Sequence, residues 1–253
     1  MSLARVIAQL KNKRILVLGT GLTGMSCVKF LNQHHISCAL NDSRENAYDI
    51  EKFQQLYPNC SLIQGQWDKH LIANAELILA SPGIDLAAEG IEQMIGADCQ
   101  VIGDIELFCQ LTDKPIIAVT GSNGKSTVVS LLAHVGRGLG INIGLGGNIG
   151  TPVLAQLADD IDCYVLELSS FQLETVSSMK AVAATVLNVS DDHLDRHNTL
   201  ACYADIKQKI YKMAQVAVIN RDDELSHSSL QLSGKSNQRV SSFGCDKAEQ
   251  GQF

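Results

Sequence analysis

A glycine-rich segment that ends in Lys-Ser-Thr carries the clearest chemistry of the sequence. It spans residues 120–127, reads TGSNGKST and follows an apolar run that predicts a strand. Glycines in such a turn let backbone N–H groups approach phosphate oxygens, and a following helix directs its positive end toward them. The lysine can reach the β- and γ-phosphates of ATP, and the next hydroxyl can bind Mg²⁺. The predicted ATP-binding residues are Gly121, Ser122, Asn123, Gly124, Lys125, Ser126 and Thr127.

A second glycine motif lies near the amino terminus. Gly19, Gly21 and Gly24 have the G-x-G-x-x-G spacing between a predicted strand and a predicted helix. Asp42 ends the next predicted strand. Taken alone, this pattern is the fingerprint of a dinucleotide site and predicts NAD. The same turn can hold any diphosphate, so the residues by themselves leave the ligand open.

The carboxylate of Glu167 is a candidate for metal binding by its chemistry, whereas His193 and Lys207 are by themselves most simply structural. Glu167 ends an apolar strand, where a hard carboxylate oxygen suits Mg²⁺. His193 follows Asp191 and Asp192 at the end of another predicted strand, and Lys207 lies in a predicted helix. The structural alternatives are a strand-end acid, a helix-capping aspartate pair, a structural histidine and a surface lysine.

Strands and helices alternate along the chain in a rhythm typical of parallel sheets with crossover helices. The polar segment 112–115 separates two such cycles. The predicted fold class is α/β. We expect an N-terminal Rossmann-like parallel-sheet domain at 1–111 and a P-loop α/β ATP-binding domain, itself incomplete, at 112–253.

Composition limits the classes of partner. The 253 residues carry a net charge of -7 without a basic run, which argues against nucleic acid because phosphate neutralisation needs clustered Lys and Arg. No apolar run reaches the about 18 residues of a membrane span, and no signal core opens the chain, so we expect a cytoplasmic protein. Eight cysteines without a C-x-x-C pair predict reduced core thiols and no zinc site.

The loop lacks the first glycine of the usual G-x-x-x-x-G-K-[ST] pattern, because Val119 stands at that position. Its variant form, T-G-x-x-G-K-[ST]-T, resembles the Mur ligase family, the ATP-dependent amide-forming enzymes of peptidoglycan synthesis. The resemblance extends over nearly the whole chain in the expected order. Further matching segments are GGNIG at 146–150, YVLELSSFQLE at 164–174, ATVLNVSDDHLDRH at 184–197, YADIKQKIY at 203–211 and VINRDD at 218–223.

The resemblance implies a reaction and its substrates. The segment SSFQLE is most similar to the corresponding segment of one group of family members. That group adds D-glutamate to UDP-N-acetylmuramoyl-L-alanine through an acyl phosphate, with ATP and Mg²⁺. The resemblance further implies a second metal and the substrate carboxylate near His193, and carbamylation of Lys207 by CO₂. The implied catalytic residues are Lys125, His193 and Lys207, and the implied metal ligands are Ser126, Glu167, His193 and Lys207.

The resemblance also implies that the first glycine motif holds the UDP of the substrate rather than NAD. Asn148 is expected to contact the muramoyl group, and Ser169 to have a minor substrate role. The implied substrate-binding residues are Leu22, Thr23, Asp42, Ser43, Arg44, Ser81, Pro82, Gly83, Asn148, Ser169 and His193.

The family has a third domain that binds D-glutamate, and the sequence ends at Phe253 before such a domain. We therefore expect a fragment that binds the UDP-substrate without ligating, and a monomer, although the sequence carries no sign of oligomeric state. Two alternatives remain. An NAD-dependent oxidoreductase leaves TGSNGKST unexplained, and another P-loop ATPase leaves LELSSFQLE unexplained.

Overall fold

The computed structural model describes residues 3–192, 194–230 and 238–247, with the side chains of 194 and 195 left aside. The chain divides into two compact units, Met1–Asp113 and Lys114–Phe253. Each unit contains one all-parallel sheet with helices between its strands. This arrangement confirms the predicted α/β class. No helix within the described ranges is long and apolar enough to cross a membrane.

The first unit has a five-stranded sheet in the order β3-β2-β1-β4-β5. The inner strands β1 and β4 are continuous buried apolar runs, as expected where helices cover both faces of a parallel sheet. The elements are α1 Leu3–Leu10, β1 Ile15–Leu18, α2 Leu22–Gln33, β2 Cys38–Asp42, α3 Ile50–Leu56, β3 Cys60–Gln64, α4 Lys69–Asn74, β4 Leu77–Ala80, a 3-10 turn Glu92–Met94, β5 Gln100–Ile102 and α5 Asp104–Leu111.

The turn between β1 and α2 depends on the close approach of two glycines. A Cβ atom on Gly24 would lie 1.8 Å from the carbonyl oxygen of Gly19. Only a residue without a side chain fits there, so the helix can start close against the strand end. The amino-terminal end of α2 therefore lies beside the carboxyl end of β1.

The second unit has a six-stranded sheet in the order β11-β10-β9-β6-β8-β7. Its elements are β6 Ile116–Thr120, α6 Lys125–Gly138, β7 Ile143–Gly147, a 3-10 turn Val153–Gln156, β8 Cys163–Glu167, α7 Ser170–Glu174, β9 Ala181–Val186, α8 Leu194–His197, α9 Leu200–Lys212, β10 Ala214–Asn220, a 3-10 turn Glu224–Ser226 and β11 Arg239–Phe243.

Strand β6 lies between β8 and β9 in the second sheet. Because all three strands are parallel, the residues that follow them meet at one edge of the sheet. These residues are the loop after Thr120, the end of β8 at Glu167 and the segment after Val186. The sheet topology therefore assembles the polar residues that the sequence places far apart.

Candidate active site

The segment after β9 supports the glycine-rich loop after β6. The backbone N–H of Ser122 donates to the carbonyl of Asn188 at 2.9 Å, and the N–H of Asn123 donates to Asn188 Oδ1 at 2.8 Å. Asn188 Nδ2 in turn donates to the carbonyl of Asn123 at 3.1 Å. Both N–H groups are therefore used in shaping the loop.

Helix α6 supplies the remaining donors of the loop. It begins at Lys125, with Gly124 as its N-cap residue, and the N–H of Val128 donates to the carbonyl of Gly124 at 3.1 Å. The N–H groups of residues 124–127 precede that first helical bond, so the helix itself has no acceptors for them. Together with the helix dipole they favour an anion at this position.

Two lysine side chains converge on the loop from different elements. Lys125 Nζ donates to the carbonyls of Gly121 and Ser122, each at 2.8 Å. Lys207, on α9, donates to the same Gly121 carbonyl at 3.0 Å and contacts Thr120 Oγ1 at 3.4 Å. The loop carbonyls thus accept from two lysine amines at once.

Burial and a neighbouring charge together lower the pKa of Lys207. The residue is 1% exposed, and its Nζ lies 4.4 Å from the centre of the Tyr203 ring. Burial, followed by the positive charge of Lys125, lowers the pKa of Lys207 to about 7, while Asp192 acts in the opposite direction. A large share of the protein therefore carries the free amine at neutral pH.

A hydroxyl, a carboxylate and an amide meet beside the start of α6. Ser126 Oγ donates to Glu167 Oε2 at 2.7 Å, and Asn148 Nδ2 donates to Glu167 Oε1 at 3.0 Å. Glu167 is 1% exposed. A magnesium ion with oxygen ligands at about 2.0–2.1 Å holds neighbouring oxygens about 2.9 Å apart, so the Ser126 and Glu167 oxygens fit such an ion.

The last residue of β7, Gly147, lets this strand pack closely against the backbone of Glu167. A Cβ atom on Gly147 would lie 2.0 Å from the carbonyl oxygen of Glu167, and the φ of Gly147 is 106°. This close approach lets the N–H of Asn148 donate to that carbonyl at 2.8 Å. The backbone and the side chain of Asn148 therefore both bind Glu167.

The structure brings part of the predicted metal set together. Ser126 and Glu167 are in contact, whereas the amine of Lys207 contacts the loop carbonyl, and His193 lies outside the described residues. In the described part of the chain, no three His, Cys, Asp or Glu side chains are placed to hold a metal ion. One carboxylate and one hydroxyl are sufficient for Mg²⁺, which keeps waters and binds substrate phosphates.

Ser169 has a structural role that the sequence did not reveal. It is the N-cap of α7, its Oγ accepts from the N–H of Gln172 at 3.2 Å, and Gln172 Oε1 accepts from the N–H of Ser169 at 3.0 Å. This reciprocal pair is a capping box. A contact between Ser169 and substrate remains a prediction.

The structure adds three residues to the site. Asn188 and Tyr203 lie in two of the segments that carry the family resemblance, 184–197 and 203–211. Thr120 ends β6. Thr120 Oγ1 donates to the carbonyl of Leu168 at 2.7 Å and lies beside Lys207. The position of Asn188 just after a strand was the available signal, but its partner on the loop depends on β9 lying next to β6.

In the first unit, Asp42 is enclosed by hydrogen-bond donors at the end of β2. Its Oδ2 accepts from the N–H of Thr20 at 2.8 Å, from Thr20 Oγ1 at 2.7 Å and from Arg44 Nη2 at 2.7 Å. Its Oδ1 accepts from Arg44 Nε at 2.9 Å. The Arg44 guanidinium, with the Thr20 donors, holds the pKa of Asp42 well below its usual range.

The other predicted residues of this unit follow the strand ends as expected from a parallel sheet. Leu22 begins α2 and is 85% exposed, Thr23 follows it, and Ser43 is half-buried after β2. Ser81 follows β4, and its buried Oγ has no hydrogen-bond partner among the described residues. Pro82 and Gly83 continue the same turn.

Two parallel α/β units, the second with a glycine-rich loop between a strand and a helix, form an architecture typical of nucleotide-binding proteins. Family profiles extend this result. The Mur ligase middle domain matches residues 119–252, and the Mur ligase MurD-like N-terminal domain matches residues 13–103. The chain belongs to the Mur ligase family.

Curated relatives share the sequence over almost the whole chain. The UDP-N-acetylmuramoylalanine--D-glutamate ligase of Colwellia psychrerythraea is 48% identical over 96% of this chain and 55% of its own length. The Escherichia coli enzyme of the same name is 41% identical over 96% of this chain and 54% of its own length. The chain spans about half the length of the curated relatives it matches.

A solved structure supports the fold alone. The UDP-N-acetylmuramate:L-alanyl-gamma-D-glutamyl-meso-diaminopimelate ligase from Neisseria meningitides superposes with a TM-score of 0.61 at 14% identity. The match covers 94% of this chain and 81% of that chain.

Proposed function

We propose that these 253 residues bind UDP-N-acetylmuramoyl-L-alanine and ATP for the addition of D-glutamate in peptidoglycan synthesis. Relatives that are 41–48% identical are named UDP-N-acetylmuramoylalanine--D-glutamate ligase, although the chain spans about half their length. The observation that carries the proposal is the 2.7 Å contact between Ser126 and Glu167 beside the loop of Lys125. It combines a hard-oxygen pair with a phosphate-binding turn, which is the arrangement that phosphoryl transfer needs.

ATP is bound by the second unit in this proposal. The N–H groups of residues 124–127 meet the phosphates at the start of α6, where the helix dipole also acts. Lys125, which bonds the loop carbonyls in the structure, exchanges them for β- and γ-phosphate oxygens. The ammonium–phosphate contact joins two charged groups, so it is stronger than the ammonium–carbonyl contact that it replaces.

Ser126 and Glu167 hold Mg²⁺, with Asn148 fixing the orientation of the carboxylate. The ion supplies neutralisation of the phosphate charge. His193 and Lys207 are further proposed ligands. His193 is outside the described residues, so its part rests on the family resemblance.

The chemistry is a carboxylate activation followed by an amide bond. The terminal carboxylate of L-alanine attacks the γ-phosphorus, ADP leaves, and an acyl phosphate forms. The amine of D-glutamate then attacks the acyl carbon, and the tetrahedral adduct loses phosphate. The loop and Lys125 position the nucleotide and counter its charge, which is most of what phosphoryl transfer requires of a protein.

Carbamylation of Lys207 is part of the proposal. Addition to CO₂ needs a neutral amine, and the pKa of about 7 supplies one. In the structure the nitrogen bonds the Gly121 carbonyl and faces the Tyr203 ring, contacts that both favour an ammonium. Carbamylation therefore draws on the neutral fraction of Lys207, whose nitrogen has a lone pair free to attack CO₂.

The first unit, residues 1–111 by sequence, is proposed to bind the UDP part of the substrate. An NAD site would use the Asp42 carboxylate to accept from ribose hydroxyls. Both Asp42 oxygens already accept from Thr20 and Arg44, which disfavours that use. A cytoplasmic location and a monomeric state complete the proposal.

Calorimetric binding tests this assignment unit by unit. The protein is titrated with UDP-N-acetylmuramoyl-L-alanine, with Mg-ATP and with NADH. We expect saturable binding of the first two ligands and none of NADH. Lys125→Met should weaken ATP binding by about 10- to 100-fold, the value of a charged hydrogen bond, and leave the UDP-sugar affinity unchanged. Binding of NADH without the UDP-sugar would replace the proposal with the oxidoreductase alternative.

A further inference from the structure

Two cysteines face each other at the amino-terminal edge of the first sheet. Cys38 begins β2, Cys60 begins β3, and the two are paired directly in the strand register. Their Sγ atoms lie 3.1 Å apart. This edge is opposite the one that carries Asp42, so the pair is separate from the proposed UDP site.

The backbone geometry already suits a covalent bond between the two sulfurs. Directly paired residues of neighbouring strands have Cα atoms about 4.8 Å apart and side chains on the same face of the sheet. Disulfides span Cα distances of about 4.4–6.8 Å. Cys38 and Cys60 can therefore be joined without moving either strand.

A cavity of about 970 Å³ opens at this edge and gives small molecules a route to the pair. Its lining includes both cysteines together with Lys13, Arg14 and His70. Cys60 lies on β3, the outermost strand of the sheet, and is 8% exposed. A reagent as small as a peroxide can reach it from the cavity.

The two thiols are not equivalent. The Cys38 thiol donates its hydrogen bond to Cys60 Sγ. That bond lowers the pKa of Cys60 and, together with burial, raises the pKa of Cys38. Cys60 is therefore the better nucleophile, and Cys38 is held as a protonated neighbour within reach of it.

We propose that Cys38 and Cys60 are an oxidation site at which peroxides form an intrachain disulfide. The Cys60 thiolate attacks one oxygen of the peroxide, the O–O bond breaks, and hydroxide or alkoxide leaves, which gives a sulfenic acid. The Cys38 sulfur then attacks the Cys60 sulfur. Its proton and the sulfenic hydroxyl leave as water, and the S–S bond forms. Two electrons pass from the thiols to the peroxide.

The disulfide ties the edge strand β3 to β2 at the ends where both begin. Both strands are short: β3 ends at Gln64 and β2 ends at Asp42. Oxidation thus adds a covalent link to an edge that backbone hydrogen bonds otherwise hold, and a thiol reductant removes it.

Mass spectrometry of the peroxide-treated protein tests the proposal. The background for the experiment is Cys202→Ser with Cys245→Ser, because these two thiols are exposed and would react independently. With limiting hydrogen peroxide we expect an intact mass lower by two hydrogen atoms and a single linked peptide pair that contains Cys38 and Cys60. Dithiothreitol should restore the starting mass.

Variants separate the two roles. Cys60→Ser should abolish the link, and Cys38→Ser should stop at a sulfenic acid that dimedone traps on Cys60. Cys27→Ser, which removes another buried thiol of the same unit, should leave the link intact. Linkage of other cysteines, or no Cys38–Cys60 peptide after the peroxide is consumed, would overturn the proposal.

Discussion

The side-chain nitrogens of Lys125 and Lys207 both donate to the carbonyl oxygen of Gly121, at 2.8 and 3.0 Å. One residue comes from the start of α6 and the other from α9, so two elements bring amine groups to a single acceptor. The contacts place both amines beside the glycine-rich loop. The arrangement also couples their charges, because the ammonium of Lys125 lowers the pKa of Lys207.

Because the amine of Lys207 is buried, the free energy of unfolding should vary with pH between neutral and alkaline conditions. Its pKa is about 7 in the folded protein and 10.5 in an ordinary exposed lysine, so the unfolded chain binds more protons between those values. The free energy of unfolding should therefore rise with pH through that window, by at most about 1.4 kcal/mol per pH unit. Lys207→Met should remove this slope in urea titrations from pH 7 to 10.

Lys209→Met is the matched control for that measurement. Lys209 is only partly buried and lies on a different face of α9. Its replacement should leave the slope as in the starting protein. Equal slopes for all three proteins would show that Lys207 does not titrate in this window.

Removal of the Lys125 charge should move the titration of Lys207 upward. Only burial would then lower the pKa of Lys207, because the neighbouring positive charge that also lowers it is gone. The pH range over which unfolding stability rises should begin at a higher pH in Lys125→Met. The comparison is the urea series of Lys125→Met against the Lys125→Met/Lys207→Met double variant. An unchanged range would mean that the two amines do not interact.

Asn148→Ala should weaken magnesium binding without removing a metal ligand. The Asn148 amide holds Glu167 Oε1 at 3.0 Å, and loss of such an outer contact typically costs about 10- to 100-fold in metal affinity. Magnesium dependence of ATP binding, followed by calorimetry, measures the effect. Asn142→Ala is the control, because its amide bonds Asp160 instead. Equal losses in both variants would argue against a specific role.

Gly147→Ala should destabilise the second unit by about 2–4 kcal/mol. The new Cβ would lie 2.0 Å from the Glu167 carbonyl oxygen, at a φ of 106° that side chains rarely adopt. Thermal unfolding by circular dichroism measures the change. Gly138→Ala, at the end of α6 with nothing within 4 Å, should instead add up to about 1 kcal/mol. A tolerated Gly147→Ala would show that β7 can separate from β8.

Asp42→Asn should lower the free energy of unfolding at neutral pH but have little effect at strongly acidic pH. The folded pKa of Asp42 lies below its ordinary value of 3.8, so the carboxylate stabilises the fold above that pH and loses the effect as the pH falls further. We expect a loss of about 1–3 kcal/mol at pH 6, because charged hydrogen bonds to Thr20 and Arg44 are weakened. The loss should shrink toward pH 2 in urea titrations. Asp98→Asn, at an exposed turn, is the control.

Short segments of the sequence are enough to predict the local features of this protein. The phosphate-binding turn before Lys125, the glycine turn after β1 and the positions of Asp42 and Glu167 at strand ends all depend on short segments. Two strands were not predicted from the sequence. Strand β3 is partly polar and lies at an edge, and β7 is rich in glycine, so both have weak strand propensity. Pairing with β2 and β8 defines them.

Which of these features come into contact depends on how the strands and helices pack together. The amine of Lys207 reaches Gly121, and Asn188 supports the loop, because β9 lies beside β6 and α9 packs near them. The sequence treated Cys38 and Cys60 as separate core thiols, but strand register makes them a pair. The physical reason is the same in each case. Local patterns fix strands, helices and turns, whereas strand order and register bring distant residues into contact.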